Sequence, residues 1–145
     1  MIDKIKVIEI ESDRYTVTAA ATDRKGKVEC SLNDFLTECV DSKQYHGSAV
    51  GLYKLIEMFS VSGSDALTTD QSHFVDQENK IYQIKKGDLR VLYFYTSEKR
   101  IVICSHGFLK STTKADKKEV KKAVRLRNEY LSSGQLEFVE LPEND

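Results

Sequence analysis

The side chains most able to do chemistry are unevenly placed along this chain. Residues 81–127 hold thirteen Lys and Arg against four Asp and Glu, whereas residues 1–80 hold nine against fourteen and residues 128–145 none against five. The formal net charge of −1 therefore conceals a basic block between two acidic stretches. Such a concentrated positive field attracts anions, and nucleic acid is the commonest large one. A solvated basic helix is the plainer alternative. Inside the block, Arg90 is the one charged residue of the apolar run Leu89–Tyr95. That position is costly unless an anion or a fixed carboxylate such as Asp88 or Glu98 pairs with it. His106 closes the next apolar run near Lys110 and could exchange a proton near neutral pH; a core-edge histidine bonded to a carbonyl is the competing reading. Tyr93 and Tyr95 could stack on a base, but their apolar alternation favours the core. His46, His73 and His106 are scattered, with no carboxylate or thiol at ligand spacing, so neither a metal nor another cofactor is expected.

The elements that must carry these residues follow from periodicity. Ile5, Val7, Ile8 and Ile10, then Tyr15–Thr18, read as extended segments separated by the turn Ser12-Asp13-Arg14, with a second turn at Arg24-Lys25-Gly26. Ser31 sits where a helix N-cap belongs, and Phe35, Leu36, Cys39 and Val40 recur at helical spacing. A second helix is predicted after Ser48, ending at Ser62-Gly63-Ser64. Residues 61–79 form a loop with a short extended piece at His73-Phe74-Val75. From Ile81 the period becomes two: Ile81–Lys85, Leu89–Tyr95 and Ile101–Ser105 are strands whose short connections force antiparallel neighbours. A last helix from about Ala115 has Val120, Ala123, Val124, Tyr130 and Leu131 as its core stripe and a lysine-rich outer face. One further strand is expected within Leu136–Leu141. The fold class predicted is α+β: N-terminal strands, two helices, a three-strand antiparallel meander and a basic C-terminal helix packed on the sheet.

At 145 residues the chain fits one domain, with residues 1–30 as a strand extension and 135–145 as an acidic tail. Glu137, Glu140, Glu143 and Asp145 of that tail could fold back over the basic block. No apolar run approaches the roughly 18 residues of a membrane span. Met1 to Lys6 lack a secretion-signal pattern, so a cytoplasmic address is expected. Cys30, Cys39 and Cys104 lie in apolar stretches without a Cys-x-x-Cys pair and are expected to be buried thiols.

With the strands set out, three stretches are distinctive. These are Ile81-Tyr-Gln-Ile-Lys-Lys-Gly-Asp-Leu-Arg-Val-Leu-Tyr-Phe94, Ile101-Val-Ile-Cys-Ser-His-Gly-Phe-Leu-Lys110, and the helix that follows Lys114. Together they resemble the RelE/ParE toxin superfamily, closest to its HigB-like, phage-derived branch. Ser111 stands where a second lysine is common, and Asp116 where a proline often opens the helix. The resemblance implies a toxin of a type II toxin–antitoxin module that cuts messenger RNA in the ribosomal A site. Its partners would be a small antitoxin, the messenger and ribosomal RNA. It implies that Arg90 contacts the scissile phosphate, a task its planar fork suits. Lys85 and Lys86 would supply charge or a general base; His106, by its own place beside Lys110, is a further candidate acid or base. Lys110 and Lys114 would grip RNA phosphates, and Lys117, Lys118 and Lys121 would dock the ribosome or the antitoxin. A ParE-like toxin that binds gyrase, and a non-catalytic interaction protein on the same fold, remain open alternatives.

Overall fold

A computed structural model describes residues 4–142, apart from the side chains of residues 113–115. The chain runs β1 (Ile5–Ser12), β2 (Thr16–Ala20), β3 (Thr22–Arg24), β4 (Lys27–Glu29), α1 (Ser31–Asp41), α2 (His46–Ser62), β5 (Ser72–Asp76), β6 (Ile81–Lys86), β7 (Leu89–Tyr95), β8 (Ile101–Leu109), α3 (Thr113–Ser133) and β9 (Leu136–Phe138). A 3-10 turn, Gly63–Ala66, follows α2. The class is α+β with a mixed sheet.

Seven strands form one sheet in the order β5-β6-β7-β8-β2-β1-β9, and β3-β4 form a separate hairpin. The turn of that hairpin uses Lys25 and Gly26 at positive φ (55° and 82°), as a tight two-residue turn requires. The predicted meander is present but gains a fourth strand, because β5 pairs antiparallel with β6. The N-terminal strands are integral to the sheet. Strand β2 pairs in parallel with β8 (Val17 opposite Val102), and β1 pairs in parallel with β9 (Ile5 opposite Leu136). Parallel partners cannot be joined by tight turns, so both pairings are long-range.

Helices α1 and α2 cover one face of the sheet over a core that includes Leu36, Leu52, Phe59, Val91, Tyr93 and Cys104. Helix α3 covers the other face, over Val7, Leu92, Phe94, Ile103 and its own Ala123 and Tyr130. Strand β7 is therefore buried on both sides, which explains its nearly unbroken apolar run. Gly107 of β8 lets α1 lie against the strand: a Cβ there would collide with the ring of Phe35.

Four expectations need correction. Cys30 is the N-cap of α1, and Ser31 is already inside the helix, so no side-chain cap forms. Strand β8 runs on to Leu109, because a bulge between its pairings with Leu92 and Tyr93 absorbs one residue without ending the ladder. Leu131 is 56% exposed and lies off the core stripe of α3. Glu137 pairs with Lys6 (3.9 Å) at the sheet edge, and among the described residues no ion pair joins it to the basic block. Glu143 and Asp145, like Met1 to Asp3, lie outside the described residues. The three cysteines are buried free thiols, as expected.

Candidate nucleic-acid interface

The register of the meander sets three side chains in a row. Lys85 lies opposite Arg90 across β6 and β7, and Arg90 lies opposite Phe108 across β7 and β8. All three are on the α3 face, because Arg90 alternates with Val91 and shares its side with Leu92 and Phe94. Arg90 is only 8% exposed. Its Nη1 donates to the carbonyls of Gly87 (2.6 Å) and Leu89 (3.0 Å), which fixes the guanidinium over the turn before its own strand. No ion pair among the described residues includes Arg90, so the bridge to Asp88 or Glu98 considered from the sequence is not made. Every buried side-chain polar atom among the described residues has a partner. Among the described residues Nε and Nη2 of Arg90 have no hydrogen-bond partner, so both retain some contact with solvent.

Two cations directly opposite each other on a sheet destabilise it by up to about 1 kcal/mol. Lys85 relieves part of this through Asp70, 3.2 Å away on the loop before β5. Asp70 is 89% exposed and Lys85 30%, so the pair is weak and easily exchanged for another anion. Lys86 does not join the row. It lies opposite Leu89 on the other face, where a Cβ at Gly51 of α2 would come 2.7 Å from its Cε. Lys110 does belong to this end of the sheet, since its N–H donates to the Asp88 carbonyl (2.7 Å) beside the β6–β7 turn.

His106 lies opposite Leu92, on the same face as Arg90. Its Nδ1 is 2.8 Å from Ser105 Oγ and its Nε2 is 2.7 Å from Glu119 Oε2 on α3. Burial pushes its pKa below the usual histidine value, more than the Glu119 carboxylate raises it. At neutral pH the contact is thus a hydrogen bond from a neutral imidazole to a carboxylate, with the Ser105 hydroxyl donating to Nδ1. Both ring nitrogens are engaged, and the pair clips α3 to β8. Lys122 also reaches Glu119 (3.3 Å).

Of the other predicted contacts, Lys117, Lys118 and Lys121 are exposed along α3, and the Lys114 side chain lies outside the described residues. Lys121 lines a different feature, an open groove of about 1220 Å³ beside β1 and the β3–β4 hairpin. Tyr93 is fully buried, which takes it away from any base. Phe108, Asp70 and Glu119 were not singled out in the sequence. Phe108 was within reach of strand parity, since it lies two residues from His106 and shares its face. The other two are long-range contacts with no local signal. Among the described residues no three His, Cys, Asp or Glu side chains gather in a group that could hold a metal ion, and no helix is long and apolar enough to cross a membrane.

Fold and site together define an α+β protein of RelE-like architecture, with Lys85 and Arg90 facing each other near the start of β7. Residues 46–128, from the first residue of α2 through most of α3, match the family described as Phage derived protein Gp49-like, and the chain belongs to that family. This family is part of the RelE/HigB-like toxin superfamily and is associated with toxins of toxin–antitoxin modules, which implies a cognate antitoxin. Among curated proteins none matches the chain. The matched stretch supplies β5 to β8, while β1, β2 and β9 fall outside it and complete the sheet.

Proposed function

We propose that this protein is the toxin of a type II toxin–antitoxin module and acts as a ribosome-dependent messenger RNA endoribonuclease. The observation that carries this reading is Arg90: buried, held by two carbonyls, and in no ion pair with a carboxylate among the described residues. A guanidinium so fixed is pre-organised for two phosphoryl oxygens. Lys85 adds charge from the facing strand and Lys110 from the rim. The Phe108 ring, next to Arg90, offers a face to the neighbouring base.

In this mechanism the 2′-hydroxyl attacks the adjacent phosphorus to form a 2′,3′-cyclic phosphate, and the bond to the 5′-oxygen breaks as that oxygen takes a proton from the His106 imidazolium or from solvent. Arg90 and Lys85 hold the charge that builds on the phosphoryl oxygens. His106 is neutral at pH 7, and its Nδ1 can accept the 2′-hydroxyl proton once substrate replaces Ser105 there. Lys86 lies on the far face and contributes field strength only. The lysines of α3 dock the ribosome or the antitoxin.

Induced expression in bacteria of the wild type and of Arg90→Ala, followed by growth and by primer extension on messengers, tests the reading. Growth arrest with ribosome-dependent cuts is expected for the wild type. Removing one charge-stabilising donor should slow cleavage by roughly 10²- to 10³-fold. Arrest without cuts would move the assignment to gyrase poisoning, and no arrest to an interaction protein.

A further inference from the structure

At the opposite end of β7 from Arg90 lies a second cavity of about 660 Å³, which plays no part in the cleavage site. Its wall is built by cross-strand register. Phe74 lies opposite Tyr82, and Tyr82 opposite Tyr93, so three rings stand side by side across β5, β6 and β7. They are stacked: centroids 4.2 Å apart at 26° for Phe74 and Tyr82, then 5.2 Å at 19° for Tyr82 and Tyr93. Tyr95 meets Tyr82 edge-on at 5.3 Å. Exposure grades outward along this ladder. Tyr93 is wholly buried, Tyr82 half-buried, and Phe74 on the edge strand is 40% exposed. The outermost ring is thus held rigidly by its neighbours on one side and left open on the other.

The rim is charged. Lys80 from the β5–β6 turn, Lys99 from the β7–β8 turn and Arg127 from α3 all line the cavity, and Asp65 is the one carboxylate among its lining residues. No ion pair among the described residues includes any of these three cations. An exposed, buttressed ring surrounded by unneutralised cations complements a planar base carrying a phosphate. A peptide side chain would satisfy the ring but leave the cations unmatched.

We propose that this cavity is a nucleotide-binding subsite that stacks one unpaired base of single-stranded RNA on Phe74 and holds its phosphates with Lys80, Lys99 and Arg127. Arg90 and Tyr95 are five residues apart on β7, so the subsite is roughly 17 Å from the cleavage row. It would anchor RNA away from the reacting phosphate. RNA as the source of the nucleotide rests on the toxin reading, whereas the base-stacking itself does not.

The test is fluorescence anisotropy at physiological ionic strength with a short labelled oligoadenylate and an abasic ribose-phosphate chain of equal length. The wild type should bind the oligoadenylate roughly tenfold more tightly than the abasic chain, because one stacked base is worth about that much. Phe74→Ala and Phe74→Leu should both abolish this preference, and Phe74→Tyr should keep it. Lys80→Asn and Lys99→Asn should weaken both probes alike. Asparagine tolerates the left-handed backbone of these turns (φ 56° and 64°), so only the charge is lost. Equal affinity of the wild type for both probes would overturn the proposal, as would an unchanged preference in Phe74→Leu. Arg90→Ala separates the two readings, since it should lose messenger cleavage yet keep the preference for bases. If the wild type neither arrests growth nor cuts messengers but binds bases through Phe74, the cleavage reading fails and the subsite stands.

Discussion

Arg90 is buried and His106 half-buried on one face of the sheet, but their environments set different roles. The Arg90 fork is half satisfied by carbonyls and half free, so its charge is on offer to a ligand. Arg90→Lys should keep the net charge and still lose most of the cleavage rate, because a lysine cannot reach two phosphoryl oxygens from a fixed plane. Primer extension compares it directly with Arg90→Ala. In the free protein both ring nitrogens of His106 are engaged, so beside its proposed part in proton transfer it also acts on stability. Its pKa is lowered by folding, so the unfolded chain binds more protons than the native one between the folded value and about 6.5. Stability is therefore full above that window and falls as pH drops through it. Thermal melts at pH 7.5 and 5 should show a loss in the wild type that is smaller in His106→Gln. Parallel losses in the two proteins would remove His106 from the account. Cys104 is wholly buried and its thiol is pushed up to about 12 by desolvation, so native protein should resist thiol reagents at that position until it unfolds.

At the scale of elements, the contact of α1 with β8 depends on Gly107. Gly107→Ala would press a methyl group into Phe35, with Leu32 Cδ1 3.1 Å from its position. Overpacking of this kind costs about 1–3 kcal/mol, and calorimetry should show a Tm several degrees lower. Strand β9 behaves differently from the autoinhibitory tail that its carboxylates suggest. It is an edge strand, parallel to β1, with Leu136 packed on the α3 side and Val139 and Leu141 on the other. Truncation after Gly134 should lower Tm and leave RNA affinity unchanged within about twofold; an affinity gain at low salt would restore the tail as a competitor.

For the molecule as a whole, charge segregation is the dominant long-range property. Lys85, Arg90 and Lys110 converge at one end of the sheet, and Lys80, Lys99 and Arg127 rim the other. Each phosphate contact made to single-stranded RNA releases counterions, giving a slope of about −0.7 in log affinity against log salt. Lys110→Ala should reduce the magnitude of the slope by about that amount in an anisotropy titration over a salt series. An unchanged slope would place Lys110 off the RNA path.

The sequence alone determined what depends on neighbours along the chain. The alternation of Leu89 to Tyr95 set the two faces of β7, and the short turns at Lys86–Asp88 and Ser97–Lys99 set the antiparallel meander; Lys85 and Lys86 shared one role until register placed them on opposite faces. Clustered charge marked residues 81–127 as the basic block before any element was placed. The tertiary structure decided the rest, because those contacts close loops that no local pattern encodes. The parallel pairings of β2 with β8 and β1 with β9 turned an N-terminal extension into the second half of the sheet. Register across β5, β6 and β7 stacked Phe74 on Tyr82 and set Lys85 against Arg90. The packing of α3 brought Glu119 to Nε2 of His106. Side-chain direction is fixed within a strand; what it meets is fixed by how the apolar faces of the whole chain come together.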